Sequence, residues 1–137
     1  MRISARAVYA SMAVLDLAMR SNEKPIQAKE IAARQGIPFK FLEQILVRLK
    51  NAGIAESTRG AAGGYRIKQP PDSITLREVI EAVDGELNIV DIEIPDPFLT
   101  DVWKEIQEKL LAVLDDVTIG DLVEWKQKAG GTWIYQI

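Results

Sequence analysis

The chain has 137 residues, 47% of them hydrophobic and 27% charged, which is the composition of one ordinary globular domain. It contains no Cys and no His, so its residues offer no disulfide, no Cys- or His-ligated zinc or iron–sulfur site and no Ser-His-Asp triad. The net charge of −3 is the sum of two oppositely charged halves. Residues 1–68 have 12 basic and 5 acidic side chains, and residues 69–137 have 5 basic and 15 acidic ones. We therefore expect the basic half to bind a polyanion.

The first predicted element is a helix that begins after Ser4, a residue type suited to the N-cap. Asp16 interrupts the apolar stretch of this helix and no small-residue cleavage site follows it, which argues against a signal peptide. No apolar run is long enough to span a bilayer, so we expect a cytoplasmic protein that does not bind membranes. Four apolar side chains recur at the spacing of one helix face: Val8, Met12, Leu15 and Met19.

Two short helices joined by a tight turn predict a helix-turn-helix. The first helix contains Ile31 and ends at Gly36, because glycine suits the left-handed conformation after a helix. The second helix spans residues 39–52 and stops before Gly53. Its core face is formed by four apolar side chains: Leu42, Ile45, Leu46 and Leu49.

A β-hairpin is predicted directly after the second helix, where it would form the wing of a winged helix. Its strands are residues 54–58 and 65–68, and its glycine-rich turn is residues 59–64. Arg59 and Gly60 lie at the turn, where a cation can contact the minor groove or the backbone of DNA. The alternative interpretation is a phosphate-binding loop, but this turn lacks both the G-K-[ST] ending and the G-x-G-x-x-G spacing.

The outer face of helix 39–52 carries side chains that can read base edges in the major groove. We predict Lys40, Glu43 and Gln44 as base-reading residues, since Gln pairs with adenine and Glu accepts from the cytosine amino group. An ordinary solvated helix face is the alternative, and the adjacent wing favours DNA binding over it. The predicted phosphate contacts, which fix position without reading sequence, are Arg2, Arg48 and Lys50.

The acidic half begins with a T-x-x-E capping box, Thr75 and Glu78, that opens a helix through about Val83. An acidic segment without periodicity, residues 85–97, separates it from the longest predicted helix, residues 98–116. A last short helix is predicted from Thr118 to about residue 128, and the chain ends in the apolar segment 132–137.

An apolar stripe on the long helix is predicted to pair two subunits. A helix-turn-helix protein usually binds DNA as a two-fold dimer, which favours a subunit seam over the alternative of an intramolecular core. The predicted seam consists of Leu99, Val102, Ile106, Leu110 and Val113.

Several motifs resemble the signature of the Rrf2 family of bacterial winged-helix transcription regulators. They are Arg2-Ile3-Ser4, Tyr9, Leu42-Glu43-Gln44, Leu49, Gly53 and Arg59-Gly60-x-x-Gly63-Gly64-Tyr65. The resemblance implies that the helix with Glu43 and Gln44 enters the major groove, that Arg59 enters the minor groove, and that the long helix pairs two subunits. Lys40 occupies a position that varies within the family.

The resemblance also bears on the signal that such a regulator senses. The family's iron–sulfur regulator holds its cluster through three Cys and one His in the loop before the long helix, and this chain has neither residue type. A repressor of cysteine metabolism in the same family is more similar. The similarity implies a repressor that senses sulfur status through cysteine synthase or a small metabolite. It rests on an aromatic C-terminal tail and on Leu114, Asp116, Thr118, Asp121 and Leu122.

The expected fold is mainly α with a small β-hairpin wing (α+β). We expect a winged helix-turn-helix in residues 1–74, and a dimerisation region with a possible effector or partner site in residues 75–137. The expected function is a dimeric, sequence-specific DNA-binding repressor that reads the major groove with helix 39–52 and the minor groove or backbone with wing 59–64. It is expected to have no catalytic activity, no metal and no cofactor. The alternative is a winged-helix module that binds a protein partner.

Overall fold

A computed structural model describes residues 2–129 of the chain, and it confirms a mainly α fold with one β-hairpin. In chain order the elements are α1 (Ala5–Met19), α2 (Ala28–Gln35), α3 (Phe39–Asn51), β1 (Ala55–Thr58), β2 (Gly64–Ile67), a 3-10 turn (Pro71–Ser73), α4 (Leu76–Asp84), α5 (Pro97–Asp115) and α6 (Ile119–Ala129). The predicted C-terminal apolar segment, residues 132–137, lies outside the described residues.

Local signals set the ends of the first helices. The Ser4 hydroxyl accepts a hydrogen bond from the Ala7 N–H at 3.0 Å and so caps α1, as predicted. Gly36 ends α2 with φ of +67°, a left-handed conformation that favours glycine. The predicted core face of α3 is fully buried in the structure: Leu42, Ile45, Leu46 and Leu49.

The core face of α1 differs from the face that the sequence pattern indicates. Val8 is 47% exposed, whereas Ala7, Ala10 and Ala13 are fully buried. The small alanine side chains let α4 and α3 pack closely against α1, which lies at the centre of the core. The helix is confirmed, but the stripe of Val8, Met12, Leu15 and Met19 is not its buried face.

The wing is an antiparallel hairpin in which Ala55 pairs with Ile67 and Thr58 pairs with Gly64. A further backbone pair extends it, because Ile26 and Tyr65 exchange N–H to carbonyl hydrogen bonds of 2.8 and 2.7 Å. The sequence indicates only an extended conformation at Ile26. The pair anchors the wing to the segment between α1 and α2.

The acidic half is built around two capped helices that begin side by side. The Thr118 hydroxyl accepts from the Asp121 N–H, and the Asp121 carboxylate accepts from the Thr118 N–H, both at 3.0 Å. The Leu76 N–H donates to the Val117 carbonyl, and the Ile119 N–H donates to the Ile74 carbonyl. These bonds join the start of α4 to the start of α6.

None of the helices within residues 2–129 is long and apolar enough to cross a membrane.

Candidate nucleic-acid interface

The outer face of α3 is exposed to solvent, and its opposite face is buried in the core. The three predicted base-reading residues lie together on this exposed face within its first two turns. The face continues through Val47, which is 51% exposed. It therefore combines cationic, anionic, amide and apolar groups, the functional groups that match base edges and a thymine methyl. The base-reading residues are Lys40, Glu43 and Gln44.

Helix α1 supports the beginning of α3 through an aromatic contact. The rings of Tyr9 and Phe41 meet edge to face, with centroids 5.6 Å apart and planes at 80°. This contact fixes the first turn of α3, where Lys40 lies, relative to α1.

The wing tip carries the predicted minor-groove residues. Arg59 and Gly60 are exposed where the hairpin turns, and Gly60 has φ of +101°. The Gly63 N–H donates to the Gly60 carbonyl at 3.0 Å, which closes the turn. A Cβ atom at Gly63 would lie 2.1 Å from the Thr58 carbonyl oxygen, so only glycine allows this tight return of the chain.

The predicted phosphate residues differ in their surroundings. Arg2 and Lys50 are exposed. Arg48 is also exposed, but its Nη1 donates a 3.0 Å hydrogen bond to the carbonyl of Val83 at the end of α4. Arg48 therefore links α3 to α4 in the absence of DNA.

A buried ion pair orients α2 of the helix-turn-helix. The Asp16 carboxylate on α1 is fully buried and accepts two hydrogen bonds from Arg34, at 3.0 and 2.9 Å. Gln35 and Arg20 donate to the same carboxylate at 3.0 and 3.2 Å.

The protonation of Asp16 follows from this arrangement. Burial alone raises the pKa of Asp16, but the hydrogen bonds from Arg34 and Gln35 and the charges of Arg34 and Arg20 outweigh it. The pKa of Asp16 therefore lies below its usual value, and the carboxylate is ionised at neutral pH. The pKa of Arg34 is raised, chiefly by its hydrogen bond to Asp16.

The rest of the described chain leaves most of the predicted seam on α5 exposed. The buried contact of α5 with the core is Leu111, which is 3% exposed. By contrast, Leu110 and Val113 are 46% and 61% exposed. At about 100° per residue, the seam residues lie about 100° to 180° around α5 from Leu111. The seam residues Leu99, Val102, Ile106, Leu110 and Val113 thus share an exposed or half-exposed face.

Segment 85–96 and α5 line an open cavity of about 520 Å³ whose walls carry four apolar and four polar or charged side chains, with Trp103 among the apolar ones. The Ile89 N–H donates to the Gln107 Oε1 at 2.9 Å and so ties the segment to α5. Within residues 2–129, no group of three or more Cys, His, Asp or Glu side chains is placed to hold a metal ion. Without any Cys or His in the sequence, the residues here do not fit a cluster that needs thiolate and imidazole ligands.

Two structurally important groups were not identified from the sequence. One is the buried ion pair of Asp16, for which Arg20 at position i+4 is the local signal. The partners of Asp84, which are Ser4 and Arg6, lie about 80 positions away and leave no local signal.

Comparisons with known proteins agree on one family. Residues 3–125 match the Rrf2 family, described as an iron-dependent transcriptional regulator. The HTH-type transcriptional regulator IscR of Klebsiella pneumoniae is 35% identical over 130 residues, covering 90% of this chain and 80% of that protein.

Solved structures give the same result. CymR, the global cysteine regulator of B. subtilis, superposes with a TM-score of 0.81 at 32% identity, covering 91% of this chain and 98% of that one. The structure of T. potens IscR gives 0.78 at 28% identity, covering 98% and 96%.

Proposed function

The chain belongs to the Rrf2 family of winged-helix transcription regulators, and from this premise we propose that it is a dimeric, sequence-specific repressor. It is a DNA-binding transcription regulator of the helix-turn-helix type. The observation that best supports the proposed mode of binding is the exposed polar face of α3 beside a wing that presents Arg59. We propose that it acts on DNA in the cytoplasm and, like the transcriptional regulators that it matches, catalyses no reaction.

We propose that the two halves of the interface read DNA differently. Lys40, Glu43 and Gln44 would contact base edges in the major groove, while Arg59 and Gly60 would enter the minor groove or contact the backbone. The phosphate contacts would be made by Arg2, Arg48 and Lys50. Arg48 can serve both purposes, since a guanidinium has five N–H donors and the Val83 carbonyl uses one of them.

We propose that residues 1–74 bind DNA and that residues 75–137 form the dimer and receive the signal. The exposed apolar face of α5 supports the dimer, because isolated soluble domains rarely leave so many large apolar side chains on one helix face. Two such subunits would present two recognition helices to half-sites about 34 Å apart or a multiple of that distance.

The proposed signal is not an iron–sulfur cluster held by Cys and His. The cavity beside Trp103 supports a site in residues 75–137 for a small-molecule effector or a partner segment, since its walls combine apolar side chains with polar and charged ones such as Glu93 and Lys104. Cysteine synthase is a proposed partner on the similarity to cysteine regulators alone.

The decisive experiment is a gel-shift titration against the promoter region of the regulator's own gene, repeated at several salt concentrations. We expect site-selective binding that weakens steeply as salt rises, because phosphate contacts release counterions. Equal binding to scrambled duplexes at every salt concentration would contradict sequence-specific recognition. Reporter expression from the same promoter distinguishes repression from activation.

A protein-interaction module is a second candidate, favoured by the apolar side chains on α3, where Phe39 and Val47 are about half exposed. A pull-down at high salt separates the two functions. An apolar protein interface persists under these conditions, whereas phosphate-dominated binding is lost.

A further inference from the structure

Three side chains from the DNA-binding half converge on the last turn of α4. The Ser4 hydroxyl donates a 2.6 Å hydrogen bond to Asp84 Oδ2, and Arg6 Nε donates to Asp84 Oδ1 at 3.3 Å. On the neighbouring residue, the Val83 carbonyl accepts from Arg48 Nη1 at 3.0 Å. We call this cluster, which consists of Ser4, Arg6, Arg48, Val83 and Asp84, the α4 clamp.

The α4 clamp satisfies groups that a helix end leaves without partners. The last carbonyls of a helix have no intrahelical donor, and Arg48 supplies one to Val83. The Asp84 side chain is 16% exposed and receives a hydrogen bond on each oxygen, one of them from a guanidinium. The 2.6 Å bond from Ser4 to the carboxylate has the length of a strong charge-assisted bond, whereas the 3.3 Å bond from Arg6 is longer and weaker, so Ser4 is the member that Asp84 holds most firmly.

The clamp holds the N-terminal segment and α3 at the same end of α4. Ser4 is the N-cap of α1 and follows directly after Arg2 and Ile3, so its position sets where the N-terminal residues lie. Arg48 lies one turn of α3 after Gln44. The N-terminal segment and the recognition helix are therefore held by adjacent residues of α4.

We propose that Asp84 is a positioning residue for DNA recognition. Its carboxylate holds Ser4 and Arg6 next to the Val83 carbonyl that binds Arg48 of α3, so that the N-terminal segment and α3 meet the same duplex in register. The proposal rests on the proposed function. It also connects the half that receives the signal with the half that binds DNA, because segment 85–96 begins directly after Asp84 and is bonded to Gln107 of α5.

Charge alone predicts the opposite effect from positioning. Asp84 is an anion, so removing its charge lowers the repulsion of phosphates and strengthens binding to every DNA sequence. Loss of positioning instead weakens binding to the specific site and leaves non-specific binding unchanged or stronger. The sign of the change in specific affinity therefore separates the two roles.

The test compares Asp84→Asn with Glu86→Gln in the full chain. Both variants remove one negative charge within two positions of each other, but Glu86 is exposed and takes no part in the clamp. Asp84→Asn replaces one acceptor oxygen with an NH2 group, which then faces the Ser4 hydroxyl or Arg6 Nε and cannot accept its hydrogen bond. We expect affinity for the specific site to fall about fivefold to tenfold in Asp84→Asn, with non-specific affinity at least maintained. Glu86→Gln should bind both DNAs as well as the parent protein or slightly better.

Hydrogen exchange on the free protein tests the same proposal without DNA. We expect faster exchange of the Ala7 and Val8 amides in Asp84→Asn than in Glu86→Gln, with the core amides of α3 unchanged. Ser4→Ala removes both the cap of α1 and the bond to Asp84, so it should speed exchange at Ala7 and Val8 at least as much as Asp84→Asn does, whereas Ser4→Thr, which retains the hydroxyl, should behave as the parent protein.

Two results would overturn the proposal. One is an equal response of Asp84→Asn and Glu86→Gln, in exchange at α1 or in the ratio of specific to non-specific affinity. The other is uniformly faster exchange throughout Asp84→Asn, which would indicate a general loss of stability. If the parent protein shows no site-selective binding, the proposed function fails, and the exchange data still decide whether Asp84 holds the N-terminal segment.

Discussion

At the scale of single residues, Asp16 shows how one charge can organise the helix-turn-helix. It is the one buried charged side chain within residues 2–129, and its partners Arg34 and Gln35 both lie on α2. A buried carboxylate is costly unless its hydrogen bonds are satisfied, and here four donor groups satisfy it. The pair therefore specifies how α2 sits against α1 more than it adds to net stability.

Replacing Asp16 with Asn should destabilise the fold by about 3 kcal/mol at pH 7. This is the lower end of the range for breaking a buried ion pair, because Arg34 is 33% exposed and water can solvate it. Urea unfolding at one fixed protomer concentration measures the effect. Asp91→Asn, at an exposed position, is the control and should leave stability unchanged.

The same substitution should alter how stability depends on pH. Because the folded-state pKa of Asp16 is lowered, its contribution is fully present above the unfolded-state pKa of about 3.9 and is lost as pH falls through the folded-state pKa. The gap between the parent protein and Asp16→Asn should therefore be constant near neutrality and narrow below about pH 4. A constant gap down to pH 3 would contradict the assigned role of the ionised carboxylate.

Glu43→Ala should relax base preference at one position of the DNA site. If Glu43 accepts a hydrogen bond from a cytosine amino group, its loss removes roughly 1–3 kcal/mol of discrimination there and leaves the other positions unchanged. Competition binding against every single-base variant of a site selected from random DNA measures this. Glu108→Ala, an exposed acid on α5, is the control. An unchanged preference in Glu43→Ala would show that Glu43 does not read a base.

At the scale of elements, the wing depends on the tight return of the chain at Gly63. A methyl group there would meet the Thr58 carbonyl oxygen, which belongs to the backbone and cannot move without breaking the hairpin. The hairpin is anchored elsewhere, through the pair between Ile26 and Tyr65. A change at the tip should therefore displace Arg59 and leave the core intact.

Gly63→Ala should weaken DNA binding about as much as Arg59→Ala, while costing about 1–3 kcal/mol of stability from overpacking. Ala62→Ser, at an exposed neighbouring position, is the control and should bind as the parent protein does. Affinity for the specific site and thermal unfolding are the measurements. Normal DNA affinity in Gly63→Ala would show that the wing does not contribute to binding.

The elements that were predictable from the sequence are those with local signals. Gly36 and the apolar spacing of α3 defined the helix-turn-helix, and the glycine-rich turn defined the hairpin. The buried face of α1 was not predictable, because its alanines give a weaker hydrophobic signal than the exposed Val8. The pairing of Ile26 with Tyr65 depends on residues distant in sequence, which no local pattern encodes.

The candidate site shows the same division. The outward face of α3 followed from its core stripe, since exposed and buried faces alternate at a fixed helical angle. The hydrogen bond from Arg48 to the Val83 carbonyl could not be predicted from the sequence, because it forms only once α3 and α4 have packed. The role of Asp84 likewise depends on the tertiary arrangement of α1 and α4.

At the scale of the whole molecule, the two oppositely charged halves of the chain contribute different surfaces. The basic half supplies α3 and the wing, and the acidic half supplies α5 with its exposed apolar face. Acidic residues near the predicted dimer seam would repel phosphates and favour docking of DNA on the basic half alone. Dimer formation and DNA binding should therefore be separable by mutation.

Leu110→Glu should convert the proposed dimer to a monomer. A charge placed in an apolar seam must be desolvated without a partner, so association becomes unfavourable. Ala112→Glu is the matched control, because it adds the same charge two positions away on an exposed part of α5 outside the seam. Light scattering gives the mass of each variant.

The monomer should bind a duplex with two half-sites at least about tenfold more weakly than the dimer, because simultaneous engagement is lost. Its affinity for a single half-site should be unchanged, since α3 and the wing are untouched. A dimeric Leu110→Glu, or a monomeric Ala112→Glu, would place the subunit interface elsewhere on the molecule.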